Sequence, residues 1–185
     1  MNTQTVVVLV VVAVAIVVAC ALLLKARKSQ RLRSRFGPEY GRTVQQTGSR
    51  TQAEAKLERL EKRVERYHLR PLSPEARVNF IEEWRKVQAR FVDDPRAALT
   101  EADRLIEKIM GARGYPTAEF EMRAADISVD HPGVVEHYRA GHEIALRHAQ
   151  GRANTEDMRL AMIHYRTLFD DLAEPETVRS KALSV

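Results

Sequence analysis

Side chains capable of acid–base chemistry gather in one short stretch of the chain, residues 123–131. Two carboxyl groups, Asp126 and Asp130, precede His131, and Arg123 lies one helical turn before the first of them. A carboxylate pair and an imidazole can transfer protons if packing brings the groups together. The competing interpretation is structural, because an Asp just before a helix that begins at a proline is typical of an N-cap. Arg123, Asp126, Asp130 and His131 are therefore a candidate polar site, with capping as the alternative.

Other catalytic or metal-binding patterns are missing from the sequence. His137, His142 and His148 lie at spacings of five and six residues, whereas ligands on one helix face are spaced by three or four. Cys20 is the only cysteine, which excludes an intrachain disulfide and a Cys-based zinc site. No P-loop, GxGxxG or GxSxG motif occurs. We predict no metal, no cofactor and no catalytic residue from these patterns, and the sequence favours a protein that is not an enzyme.

The N-terminal region contains a long apolar run, residues 6–24, without a charged or strongly polar side chain. A helix of this length rises about 28 Å, close to the roughly 30 Å hydrocarbon core of a bilayer. The run therefore predicts a transmembrane helix. A cleaved export signal and a lipoprotein acylated at Cys20 are the alternatives. They are disfavoured because no basic residue precedes the run and it exceeds the usual signal length.

Basic residues follow the apolar run and no basic residue precedes it. The positive-inside rule then predicts a single-pass protein of the cell membrane, with residues 1–5 outside and the C-terminal domain in the cytoplasm. Residues 25–35 are predicted to be a basic juxtamembrane helix that contacts the bilayer, and anionic lipid in particular. The expected membrane-contacting side chains are Lys25, Arg27, Lys28, Arg31, Arg33 and Arg35.

The charge of the rest of the chain argues against nucleic-acid binding. The whole sequence has a formal net charge of +5, but residues 1–35 hold six of the 30 Lys and Arg residues and no acidic residue. The remaining 150 residues therefore hold 24 basic and 25 acidic groups. A nucleic-acid-binding domain is expected to carry its basic surplus in the folded part. We therefore predict no nucleic-acid partner.

Apolar residues recur at helical spacing from residue 51 to residue 175, and no alternating strand pattern occurs. The prediction is an all-α fold: an N-terminal transmembrane helix followed by a soluble bundle of five to six helices. Residues 36–50 are predicted to be a linker, because Gly37-Pro38 is a turn signal, and 176–185 a flexible tail. Ser73 before Pro74 and Asp94 before Pro95 are typical of helix starts.

The segment 51–67 has a single apolar stripe, with charged residues on its other faces. Two interpretations remain open for it: a helix that docks on the domain, or a short coiled coil that makes a homo-oligomer. The stripe consists of Ala53, Leu57, Leu60, Val64 and Tyr67.

Several short segments together resemble a group of bacterial single-span, membrane-anchored proteins with a C-terminal helical domain and no assigned activity. The resemblance covers about residues 31–172. It implies an anchored architecture and transfers no activity, cofactor or site residue. The segments are 35–40, 70–77, 87–95, 113–116 and 123–132.

The function expected from these observations is a membrane-tethered helical module that binds or scaffolds another protein. A tether would raise the concentration of the domain near partners at the bilayer, and helices would offer a groove or a face to such a partner. The alternative is a small-ligand sensor or an enzyme whose polar site is the joint at residues 126–132.

Overall fold

The computed structural model describes the backbone of residues 3–173, and the side chains of residues 4 and 11–173. That part of the chain forms eight helices and no strand, which confirms the all-α class. The predicted tail at 176–185 lies outside the described residues. The helices are α1 (Thr3–Phe36), α2 (Pro38–Thr47), α3 (Arg50–Val64), α4 (Pro74–Asp93), α5 (Pro95–Arg113), α6 (Phe120–Asp130), α7 (Val135–Ala149) and α8 (Thr155–Ala173).

The prediction of a transmembrane helix at residues 6–24 is wrong. Among the residues that the structure describes, no helix is long and apolar enough to cross a membrane. The single-pass arrangement, its outside N-terminus and the cell-membrane localisation are contradicted by the same finding.

The chain divides into two compact units, Met1–Leu57 and Glu58–Val185, and the boundary falls inside α3. In the first unit, the C-terminal half of α1 has one buried face that includes Ser29, Leu32 and Phe36. The six basic residues predicted to contact lipid are all exposed. Their contact with anionic lipid stays a prediction.

The segment 36–50 is a helix for most of its length and not a linker. Gly37 separates α1 from α2. Its φ of 50° is a conformation that glycine adopts without steric cost. Pro38 then takes the first position of α2, where its missing N–H costs nothing. Tyr40 and Thr43 of α2 are buried. The Gly-Pro pair therefore ends one helix and begins the next.

Several polar side chains of the first unit form hydrogen bonds to Glu54. Its carboxylate, which is buried, accepts hydrogen bonds from Ser29 Oγ, from Tyr40 Oη at 2.9 Å and from Arg50 Nε at 3.0 Å. Burial works against ionisation, but these donors outweigh it and lower the pKa of Glu54. The charge of this carboxylate is thereby compensated inside the unit.

The apolar stripe of segment 51–67 is mostly buried. Within the first unit, Ala53 and Leu57 are almost fully buried, and in the second unit Leu60 and Val64 are buried. Tyr67 packs against the core of the second unit. The docking interpretation accounts for this burial without a second chain, and a homo-oligomer through 51–67 stays an untested prediction.

The second unit is a bundle in which α8 is central, since it packs against α4, α5 and α7. Its helices start where the local signals indicate. Ser73 Oγ accepts a hydrogen bond from the Ala76 N–H at 3.1 Å, and Asp94 Oδ1 accepts one from the Ala97 N–H at 3.0 Å. The largest fully buried side chains of this core are Leu99, Ile106, Ile109, Met110, Ile127, Tyr138, Tyr165, Leu168 and Leu172.

Two glycines of the second unit should respond in opposite ways to alanine. Gly114 has φ +97°, and a Cβ there would lie 2.8 Å from the His68 carbonyl oxygen. The left-handed backbone alone costs about 1–2 kcal/mol for an L-residue, so we expect Gly114→Ala to lower the free energy of unfolding by at least about 2 kcal/mol. At Gly141 a Cβ would make ordinary contacts at 3.4–3.5 Å. Because alanine favours the helix interior, Gly141→Ala should leave stability unchanged or raise it by up to about 1 kcal/mol. Urea unfolding of both variants measures their free energies of unfolding. Equal losses of stability would contradict the prediction that alanine is strained at position 114 and tolerated at position 141.

Candidate functional site

The four residues of the predicted polar site have their partners on several different segments of the chain. Asp126 is 1% exposed and accepts hydrogen bonds from Arg63 Nε at 2.9 Å and from Tyr67 Oη at 3.1 Å. Asp130 Oδ2 accepts a bond from Tyr115 Oη at 3.4 Å. These two carboxylates fasten α6 to its neighbours within the second unit.

His131 is buried and pairs through Nδ1 with the carboxylate of Asp171 on α8. It follows α6 directly, and its N–H donates to the Ile127 carbonyl oxygen. Asp130 does not cap the next helix, because α7 begins at Val135 after an N-cap residue, Val134, that makes no side-chain capping bond. The contacts of Asp126, Asp130 and His131 therefore hold helices together, and a common polar site at 126–132 stays a prediction.

Arg123 is the one predicted residue that enters a larger polar arrangement. Its Nε donates to Tyr138 Oη at 3.1 Å, and its Nη1 donates to the Ala118 carbonyl oxygen at 2.7 Å. The remaining nitrogen, Nη2, forms an ion pair with Glu107 at 2.7 Å. The side chain of Arg123 is only 12% exposed. These contacts fix the plane and the direction of the guanidinium group.

A second half of the arrangement lies beside Tyr138. Tyr165 Oη donates to Asp103 Oδ1 at 2.9 Å, and His142 Nδ1 lies 4.0 Å from the same oxygen. Phe120 stacks on the His142 ring with centroids 3.6 Å apart and planes at 7°. Because α5, α6, α7 and α8 all contribute, we call Asp103, Glu107, Arg123, Tyr138, His142 and Tyr165 the four-helix polar cluster.

The surroundings of the four-helix polar cluster favour the uncharged forms of Tyr138, Tyr165 and His142. Burial, reinforced by the Asp103 charge, raises the pKa of Tyr138 to about 12 and also raises the pKa of Tyr165. Burial lowers the pKa of His142, although Asp103 opposes that shift. For Arg123, burial disfavours the charge, but Tyr138 and Glu107 outweigh it and raise the pKa. Near neutral pH the two phenols therefore keep their protons, and the imidazole is uncharged.

A cavity of about 550 Å³ opens next to Arg123, between the end of α5 and the start of α6. The cationic side chains of Arg104, Lys108 and Arg123 line it, with one carboxylate, Glu107. The rest of the lining is apolar or hydroxyl-bearing. It comprises Met110, Gly111, Tyr115, Pro116 and Thr117. A volume of several hundred Å³ with mostly apolar walls and a few convergent charges is typical of a small-molecule site.

Metal ligands do not converge in this part of the molecule. Throughout the described residues, no three or more His, Cys, Asp or Glu side chains are grouped so that they could hold one metal ion. His137, His142 and His148 are each half-buried, and the cavity is lined by none of them.

Sequence reasoning missed most of the cluster, because its members come from four helices. Only Asp103 carried a local signal. It lies one helical turn after Leu99 and one before Ile106, so a carboxylate interrupts the inner apolar stripe of α5. A half-buried carboxylate on an apolar face needs a partner, but the sequence does not say that the partner is Tyr165.

Comparison with known proteins adds no relative: no protein-family model matches the chain, and neither a curated protein nor a solved structure matches it. The resemblance to bacterial proteins with a C-terminal helical domain is not tested by these comparisons and stays a prediction.

Acid should weaken the second unit partly through His142. Its pKa in the folded chain is below the ordinary value, so the folded state favours the neutral ring. The contribution is complete above about pH 6.5 and is lost as the pH falls through the folded-state pKa. We expect His142→Gln to lose less stability than the parent chain between about pH 7.5 and about pH 5. Urea unfolding at both pH values checks this. His68→Gln, at an exposed position, is the control, and an equal effect of both substitutions would contradict the prediction.

Proposed function

We propose that the second unit is a binding module for a small anionic ligand, an organic acid with an apolar body. The observation that carries the proposal is the 550 Å³ cavity that brings three cationic side chains, Arg104, Lys108 and Arg123, against mainly apolar walls. Charged groups that converge in a concave apolar site give orientation and specificity, while the walls supply contact area.

The guanidinium of Arg123 is the expected anchor for the acid group. Two of its nitrogens are engaged by Tyr138 and by the Ala118 carbonyl oxygen, so its orientation is set before a ligand arrives. The third, Nη2, pairs with Glu107, whose side chain is 43% exposed. A ligand carboxylate or phosphate would displace the mobile carboxylate of Glu107 and take its place at Nη2. Preorganisation of this kind lowers the cost of binding.

The proposed role is binding without catalysis. His142 and Asp103 are the pair in the cluster best suited to exchange a proton, yet neither lines the cavity. Tyr138 and Tyr165 are buried and hold their protons strongly. In this proposal the four-helix polar cluster positions Arg123 and couples ligand binding to the packing of α5, α6, α7 and α8.

Thermal unfolding in the presence of chemically graded probes tests the proposal. Benzoate and phenyl phosphate carry an apolar ring and an anion, and benzamide is the uncharged counterpart. We expect the two anions, and not benzamide, to raise Tm, because a ligand that binds only the folded state stabilises it. Arg104→Gln and Lys108→Gln should reduce the shift. Arg96→Gln, an exposed residue of the same helix outside the cavity, should not. Equal shifts with all probes, or none, would contradict the proposal.

Protein binding is the second candidate function, and a groove between α4 and α8 favours it. Phe91, Met162 and Ile163 form its apolar floor, while Arg159 and Arg166 line its edges. Ile163 is exposed despite its size. An amphipathic helix with acidic flanks would match both the floor and the edges.

Photocrosslinking distinguishes this candidate from the first. A photoreactive residue at position 163 should give a discrete adduct in cells if a helix occupies the groove. The same residue at position 146, exposed on α7 outside the groove, is the control. The same adducts from both positions, or no adduct from position 163, would count against the groove.

A further inference from the structure

A second cavity, which we call the α4–α5 cavity, has a volume of about 410 Å³ and lies between those two helices. Two buried side chains, Val87 and Leu105, are the apolar part of its lining. Arg104 and Lys108 of α5 line this cavity and also line the cavity at Arg123. The two cavities therefore meet at the same pair of cationic side chains.

The spacing of residues along α5 explains why these two side chains are shared. Arg104 and Lys108 are four residues apart, so they are neighbours on one face of the helix. Leu105 lies about 100° around the axis from Arg104 and lines only the α4–α5 cavity. Glu107 lies about 100° from Lys108 in the opposite direction and lines only the cavity at Arg123. A ligand lying across this face of α5 can therefore reach both cavities.

The two acidic side chains of the α4–α5 cavity already have cationic partners. The Glu83 carboxylate accepts a hydrogen bond from Lys108 Nζ at 3.0 Å. The Glu101 carboxylate pairs with Arg90, which lines neither cavity. The charges of both carboxylates are thereby compensated, and they leave the other cations of the lining unpaired.

Lys86 of α4 and Arg104 of α5 are these unpaired cations. Both are exposed, and neither forms a hydrogen bond or an ion pair with another residue in the part of the chain that the structure describes. An anion between them would displace no internal partner. The situation differs at Arg123, where Glu107 already pairs with Nη2.

We propose that the ligand is an elongated dianion, whose first acid group binds at Arg123 and whose second binds between Lys86 and Arg104. This inference rests on the proposed function, because it extends the same ligand from the cavity at Arg123 into the α4–α5 cavity. The two acid groups would be on the order of 10 Å apart, which is the width of a helix with its side chains. An apolar chain between them would lie against the aliphatic stems of Arg104 and Lys108.

Calorimetric titration of the full chain with three matched acids tests the second acid group, at about pH 7.5, where carboxylic acids are ionised. Suberate carries a carboxylate at each end of an apolar chain, suberamate has an amide in place of one carboxylate, and succinate has two carboxylates on a short chain. We expect suberate to bind at least about fivefold more tightly than either of the others, the gain that an exposed ion pair can give.

A charge-matched pair of variants locates the second acid group. Lys86→Gln should reduce the preference for suberate over suberamate to below about twofold, because it removes one of the two proposed cationic contacts. Arg85→Gln removes the neighbouring exposed cation, which lines neither cavity, and should leave the preference unchanged. Circular dichroism shows whether both variants stay folded.

Equal binding of suberate and suberamate by the parent chain would overturn the second acid group and leave the anion site at Arg123 standing. A preference for suberate that survives Lys86→Gln would also overturn it, and so would binding of succinate as tight as that of suberate. Failure of all three acids to bind would overturn the dianion. The proposed function falls with it only if benzoate and phenyl phosphate also fail to raise Tm.

Discussion

Replacing Asp126 by alanine is expected to lower the free energy of unfolding by about 3 kcal/mol. Asp126 is 1% exposed and is held by Arg63 and by the hydroxyl of Tyr67. Removing one partner of a buried ion pair typically costs about 3–5 kcal/mol, because the other charge is left uncompensated. The lower end of this range applies here, since the Arg63 side chain is 34% exposed and can be hydrated once Asp126 is removed.

Chemical denaturation of matched variants measures the Asp126 effect. Asp93→Ala removes an exposed carboxylate of α4, and it should change stability by less than about 0.5 kcal/mol. Tyr67→Phe removes only the hydroxyl bond to Asp126, and it should cost about 1 kcal/mol. A loss below about 1 kcal/mol for Asp126→Ala would contradict the view that this carboxylate fastens α6 to the segment around Arg63 and Tyr67.

Replacing Trp84 by alanine is expected to cost about 3–5 kcal/mol, the range for removal of a buried aromatic side chain. Trp84 is 4% exposed and stacks on Phe169 of α8, with centroids 4.8 Å apart and planes at 15°. The substitution removes the stacking and leaves a void between α4 and α8.

Two further substitutions separate the causes of the Trp84 effect. The indole Nε1 is buried and makes no hydrogen bond to any residue that the structure describes, so Trp84→Phe loses volume but no polar contact. We expect it to retain more than half of the stability that alanine loses. Val92→Ala on the same helix is the control, because Val92 is 82% exposed. If Val92→Ala and Trp84→Ala cost the same, the assignment of Trp84 to the core is incorrect.

Features set by a few adjacent residues could be predicted from the sequence. Ser73-Pro74 and Asp94-Pro95 each contain the capping side chain and the residue that begins the helix, and both caps form as expected. Gly37-Pro38 contains the same kind of information but permits two outcomes. A proline ends a helix that precedes it and equally begins a helix that follows, so the sequence alone did not distinguish a linker from α2.

Features that depend on tertiary packing could not be predicted in the same way. Asp126, Asp130 and His131 are close in sequence, which suggested one site, yet each finds its partner on a different segment. Conversely, Asp103 and Tyr165 are 62 residues apart and share a hydrogen bond. Periodicity shows which face of a helix is buried, but it does not show which helices meet there.

The largest correction concerns the apolar run at the N-terminus. Its composition suggested a span, and no helix in the described part of the chain meets the length and hydropathy of one.

Heteronuclear NMR of the ¹⁵N-labelled chain, titrated with phenyl phosphate, is the most direct test of the cavity proposal. The Nε–H of Arg123 donates to Tyr138, so its signal reports on the anchoring guanidinium. The proposal predicts that this signal and the backbone amides of residues 104–117 shift together and saturate, while those of residues 159–166 do not. If the Arg123 signal stays unchanged, or if the shifts are scattered over the surface, the proposal that this cavity binds a small anion is contradicted.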